Sequence, residues 1–178
     1  MSRALVLCVL VCCLGCSFAA GPTSVGIATT DVQEPVQFAL GDLRTALVDG
    51  GYKVGATGEW TVGVRDKGDR PAGLAGEVPP EAESFAILPQ PEARKVWVVG
   101  RDAVGAMYGV FELVERVKLG ERLERLKPVT QKPYLEFRAT NPFLSLPYPF
   151  TGSFKDWWFL SEDFWRTYLD MLARARFN

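Results

Sequence analysis

Val96-Trp97-Val98-Val99-Gly100-Arg101-Asp102-Ala103-Val104-Gly105-Ala106-Met107-Tyr108-Gly109-Val110-Phe111-Glu112-Leu113 is the stretch that decides the fold. It opens on a nearly continuous apolar run, the pattern of a strand covered on both faces. Gly100-Arg101-Asp102 then turns the chain, and Asp102 is placed to cap a helix. Met107, Val110, Phe111, Val114 and Val117 recur at helical spacing as its buried stripe. Glu112 and Arg116 are expected to pair across one turn on the exposed side. Gly100 to Gly105 has the spacing of a phosphate-binding loop. Ala106 and Met107 stand where that loop needs Lys and Ser or Thr, so the NTPase reading fails. The expected role of Gly105 and Gly109 is close packing of helix on sheet.

Working outward, Ser24 to Ala28 predicts a strand. Glu34-Pro35 opens a helix that buries Val36, Ala39, Leu40, Leu43, Ala46 and Leu47 and stops at Gly50-Gly51. Trp60 to Arg65 alternates as a half-buried strand. Asp66 to Glu83 reads as a long surface loop, Ser84 to Leu88 as a strand, and Pro89 to Glu92 as a turn. The order predicts an α+β fold, a small sheet with two helices packed on one face. It spans residues 22–120. Glu121 to Lys127 alternates in charge, so 121–133 reads as a linker.

Beyond Pro133 the composition becomes strongly aromatic. Tyr134 to Arg138 predicts a strand, and Ser161 caps a helix whose apolar face carries Phe164, Trp165, Tyr168, Leu169 and Leu172. Most of these rings are expected to pack against protein. Trp157 and Trp158 are the best candidates for stacking on sugar.

The chain has 178 residues, a formal net charge of -1 and no histidine. A nucleic-acid partner is not expected from that charge. Ser-His-Asp and Cys-His catalysis are excluded, and neither a metal nor a cofactor is expected. Arg3, the apolar run Ala4 to Leu14 and the small residues up to Gly21 form a secretory signal over residues 1–20, with cleavage after Ala19 or Ala20. All four cysteines, Cys8, Cys12, Cys13 and Cys16, fall inside it. Leu14-Gly15-Cys16-Ser17 also resembles the end of a lipoprotein box, although Cys13 departs from its pattern. Lipid on Cys16 would be the chain's one membrane attachment. The protein is expected to be exported, whether periplasmic, extracellular or lipid-anchored at the cell surface.

The run Val96 to Leu113, with Glu83-Ser84-Phe85-Ala86-Ile87 and the helix Val36 to Gly51, resembles the N-terminal accessory domain of beta-N-acetylhexosaminidases and alpha-glucuronidases. Lys132-Pro133-Tyr134-Leu135-Glu136-Phe137-Arg138 is similar to the first strand of their catalytic (β/α)8 barrel, and Phe164 to Asn178 to its first helix and the approach to the second strand. The resemblance implies that residues 134–178 are the start of an incomplete barrel, whose full form takes about 250 residues. It implies a glycoside hydrolase acting on polysaccharide or glycoconjugate sugars, with the remainder of the barrel as partner. It also implies that Arg138 binds substrate hydroxyls. Ala139-Thr140-Asn141 departs from the family's continuation, which leaves the sugar open.

Glycosidases need two carboxyl groups about 5–10 Å apart. Glu162 and Asp163 are accounted for by helix capping, Glu112 and Glu115 by a solvated helix face, and Glu136 by strand alternation. No catalytic residue is assigned, and this chain alone is expected to be inactive. The alternative reading is a secreted or surface-tethered carbohydrate-binding module without catalysis.

Overall fold

The computed structural model describes residues 22–29, 32–69, 71–74, 76–141 and 160–178. The expected signal segment with Cys16, and Trp157 and Trp158, lie outside the described residues.

The described elements are β1 (Ser24–Thr29), α1 (Glu34–Asp49), β2 (Lys53–Gly55), β3 (Trp60–Arg65), β4 (Phe85–Gln90), β5 (Lys95–Gly100), α2 (Ala103–Lys118), β6 (Val129–Gln131) and α3 (Glu162–Arg174). The six strands form one mixed sheet in the order β2-β1-β3-β5-β4-β6. Parallel pairing joins β2, β1, β3 and β5, while β4 runs antiparallel to both β5 and β6. The fold is α+β.

Both long helices lie on one face of the sheet. Val36, Leu40, Leu43 and Leu47 of α1 share a core with Val110, Leu113 and Val117 of α2 and with Val62, Val96 and Val98 below them. Phe38 meets Phe111 edge to face at 5.7 Å, which joins the helices. The opposite face of the sheet is covered by the 66–83 loop, through Leu74 and Val78 over Ala86, Leu88 and Trp97. Trp97 lies across Gly63, where a Cβ would come within 2.3 Å of the ring. The interior position of β5 and its two covered faces agree with its continuous apolar run.

The turn from β5 into α2 is as tight as its glycines imply. A Cβ on Gly105 would stand 2.2 Å from the Ser84 carbonyl oxygen, and one on Gly109 would stand 2.7 Å from Val98 Cγ1. Helix and sheet backbones approach closely because neither residue has a side chain.

Two expectations need correction. Residues 121–133 are not a free linker. Leu123 and Leu126 are buried. The Tyr52 hydroxyl accepts from Leu123 N at 2.9 Å, and Arg122 Nη1 donates to the Gly50 carbonyl at 3.0 Å. Val129–Gln131 then pairs with Phe85–Ile87. The alternating charges conceal two leucines that face the core.

Tyr134 to Arg138 is not a strand. A strand needs a neighbouring strand to take its N–H and C=O groups, and among the described residues no strand pairs with it. Instead, Arg138 N donates to Asn178 Oδ1 at 2.7 Å, and Asn178 N donates to the Arg138 carbonyl at 3.0 Å.

Two glycine substitutions should move stability in opposite directions. Gly41 lies inside α1, and a Cβ added there would meet nothing within 4 Å. Gly41→Ala should stabilise by about 0.5–1 kcal/mol. Gly105→Ala drives a methyl into backbone and should destabilise by about 2–3 kcal/mol. Urea midpoints at unchanged m-value check both.

Candidate functional site

The functional candidates converge where residues 131–138 and 175–178 meet the start of α2. Asp102 begins the arrangement. Its Oδ1 accepts from Gly105 N at 2.8 Å and caps α2, while its Oδ2 accepts from Glu83 N at 2.8 Å. Glu83 has a left-handed backbone, φ 62°, an unusual conformation for a side chain of its kind. That bend turns its carboxylate toward the junction.

There the Glu83 carboxylate pairs with Arg138 Nη2, and its other oxygen accepts from Asn178 Nδ2 at 2.9 Å. Arg138 Nε donates to the Arg176 carbonyl at 2.5 Å and Nη1 to the Leu135 carbonyl at 2.6 Å. Its guanidinium also lies 5.8 Å from the centre of the Tyr108 ring. Arg138, the residue expected to bind substrate, therefore commits all three of its nitrogens within the chain.

Arg176 repeats the arrangement. Its Nη2 reaches Glu112 Oε2 at 2.6 Å, its Nη1 reaches Gln131 Oε1 at 2.6 Å, and it lies 5.5 Å over Phe85. Glu112 also accepts from Arg116 Nε at 2.8 Å, as its spacing implied. It is not solvated, however. Glu112 is buried, because Arg176 arrives from the far end of the chain to cover it.

Burial pushes the Glu112 carboxyl up, but hydrogen bonds from Arg176 and Arg116 outweigh it and hold the group below the ordinary carboxylate range. Burial also raises the Tyr108 phenol, against the lowering effect of Arg138. Tyr108 thus stays protonated, and its hydroxyl donates to the Phe177 carbonyl at 3.1 Å.

Beside this network opens a groove of about 770 Å³, lined by Glu81, Glu83, Tyr134, Glu136, Phe137 and Asn178. Tyr134 is 98% and Phe137 76% exposed. Exposed rings beside carboxylates can stack on a sugar's apolar face and accept from its hydroxyls. Two of the carboxylates are already neutralised, Glu83 by Arg138 and Glu81 by Lys132 at 2.5 Å. An acid–base role for either would require its cation to leave. Among the described residues no three His, Cys, Asp or Glu groups gather to hold a metal.

Sequence reasoning selected Arg138 but not Glu83, Tyr108, Arg176 or Asn178. Local spacing carries no trace of their contacts, which join positions far apart in the chain. Glu83 offers one faint sign, since only Ser84 separates it from the buried strand β4.

The lowered carboxyl of Glu112 sets a pH dependence. A group whose folded pKa is depressed contributes stability above its unfolded value, about 4.3, and loses that contribution as pH falls through the folded one. Glu112→Gln should cost about 1–2 kcal/mol at pH 7, and its gap from the wild type should narrow toward pH 3. Urea midpoints across that range check it. A constant gap would mean the carboxylate charge is not what stabilises the junction.

No recognised protein family and no curated protein matches the chain. Solved structures do. One is a GH138 enzyme targeting pectin rhamnogalacturonan II, at TM-score 0.60 and 24% identity, covering 87% of this chain and 23% of that one. Another is a GH115 4-O-methyl-alpha-glucuronidase with specificity for decorated arabinogalactans, at TM-score 0.49 and 20% identity, covering 66% of this chain and 18% of that one. The chain thus spans about a quarter of the first of these enzymes. Over the matched residues its fold is similar to that part of the GH138 enzyme.

Proposed function

We propose that the chain is the non-catalytic N-terminal portion of an exported glycoside hydrolase acting on polysaccharide or glycoconjugate sugars. In this reading residues 22–131 are the accessory domain. Residues 134–178 begin a catalytic (β/α)8 barrel whose remainder is their partner. The observation that carries the proposal is the exposure of large apolar side chains on the last segment. Tyr134, Leu135, Phe137, Leu169, Met171 and Phe177 are all exposed. Large apolar side chains gathered on one segment mark an interaction surface. The likeness in fold to the GH138 enzyme, over a region 23% of its length, supports the same reading. Tyr134 to Arg138 would become a strand once neighbours supply its hydrogen bonds.

The active site of such a barrel sits on the loops at the carboxyl ends of its strands. Arg138 stands at the end of the proposed first strand. A sugar contact there would have to displace Glu83. Trp157 and Trp158 enter the proposal as stacking platforms on residue type alone.

The groove beside exposed Tyr134 favours a second reading, a carbohydrate-binding module without catalysis. Titrating the 178-residue chain with pectin-derived and arabinogalactan-derived oligosaccharides separates the two. The hydrolase reading expects no saturable binding and no release of sugar from aryl glycosides above a mock preparation. Saturable binding lost in Tyr134→Ala would favour the module. Hydrolysis by this chain would overturn the non-catalytic assignment.

Export has its own test. Mass spectrometry of the N-terminus of secreted protein should find cleavage after Ala19 or Ala20, or a diacylated Cys16. A chain retaining Met1 would remove the exported half of the proposal.

A further inference from the structure

Arg138, Arg174 and Arg176 meet the α+β domain in the same way. Arg174 pairs with Asp42 Oδ2 at 2.7 Å and lies 4.9 Å over Phe38. Arg176 pairs with Glu112 and lies over Phe85. Arg138 pairs with Glu83 and lies over Tyr108. Each guanidinium is held by a carboxylate and an aromatic face together. Arg65 over Trp97 and Arg122 over Tyr52 combine a ring and a carboxylate in the same way inside the domain; these three differ in joining the domain to the residues that follow it.

The backbone supplies independent support. Glu83 holds a left-handed φ of 62°, a conformation that in a residue with a side chain needs support from its surroundings. Arg176, at φ 63°, is the left-handed residue that closes α3, with its N–H on the Ala173 carbonyl and that of Phe177 on the Leu172 carbonyl.

We propose that the pairs Phe38/Asp42, Phe85/Glu112 and Tyr108/Glu83 form an interaction surface of three sockets, whose partner is the arginine-bearing segment of this same chain. In this arrangement Arg138 is a positioning residue. The sockets hold residues 134–138 and 162–178 in one pose, and that pose decides where the exposed apolar face points. The inference rests on the junction geometry and not on the sugar chemistry proposed above.

The three sockets make different demands. Arg138 bonds Glu83 and two carbonyls while covering a ring, which requires a planar fork. Lysine would supply the charge but not the geometry. The Arg174–Asp42 pair is half-exposed and tolerant, so its charges can be exchanged.

Hydrogen exchange on the whole chain tests the proposal. In the wild type, amides of α3 should be protected. Arg138→Lys and Arg174→Glu should each speed exchange across residues 162–178 by about tenfold, leaving β3 and β5 within about twofold. Asp42→Arg combined with Arg174→Glu should restore protection. Unprotected α3 amides in the wild type would overturn the proposal. So would equal acceleration in α3 and β5, full protection in Arg138→Lys, or failure of the charge exchange to rescue.

Discussion

The Asp102 carboxylate faces two ways, and the junction follows from that. One oxygen takes the Gly105 N–H and starts α2; the other takes the Glu83 N–H at the end of the surface loop. A charge-assisted bond of this kind is worth roughly twice a neutral one. It therefore holds a loop end as firmly as it caps a helix. Glu83 is then presented to Arg138 and Asn178. The contact of Gly105 with the Ser84 carbonyl keeps both ends close. Asp102 thus couples the packing of α2 on the sheet to the seating of the last segment.

How much of this could be read from residues alone divides by range. The bounds of α1, the Asp102 cap, the strands β3 and β5 and the packing role of Gly105 were legible because each depends on neighbours within a turn or a strand. β2 and β6 were not. Three residues each leave too little alternation to register, and both pair with strands distant in sequence. Leu123 and Leu126 were hidden among charges that suggest solvent. Tyr134 to Arg138 has a strand's composition without a strand's neighbour, so composition and hydrogen bonding disagree there.

Glu112 shows the same limit at the site. Its spacing from Arg116 places both on one helix face, and that pairing is real. Nothing within a turn of Glu112 implies Arg176, 64 positions later, which converts a surface pair into a buried one. Arg138 was singled out by the family resemblance, which puts a substrate-binding arginine at the end of the expected strand. Its donors go instead to Glu83 and to two carbonyls. Where a polar residue lies can follow from pattern. What it bonds depends on the folded path of the rest of the chain.

The junction also separates two physical tasks. Apolar contact is non-directional and scales with area, so it would hold α3 against the domain in many orientations. A guanidinium between a carboxylate and a ring accepts few. Buried ion pairs often add little net stability once desolvation is counted, and the exposed pair at Asp42 adds less. Three such pairs are therefore better suited to fixing one orientation than to supplying binding energy. α3 can then leave Leu169 and Met171 facing outward without losing its own seat, because polar contacts at its carboxyl end define the pose.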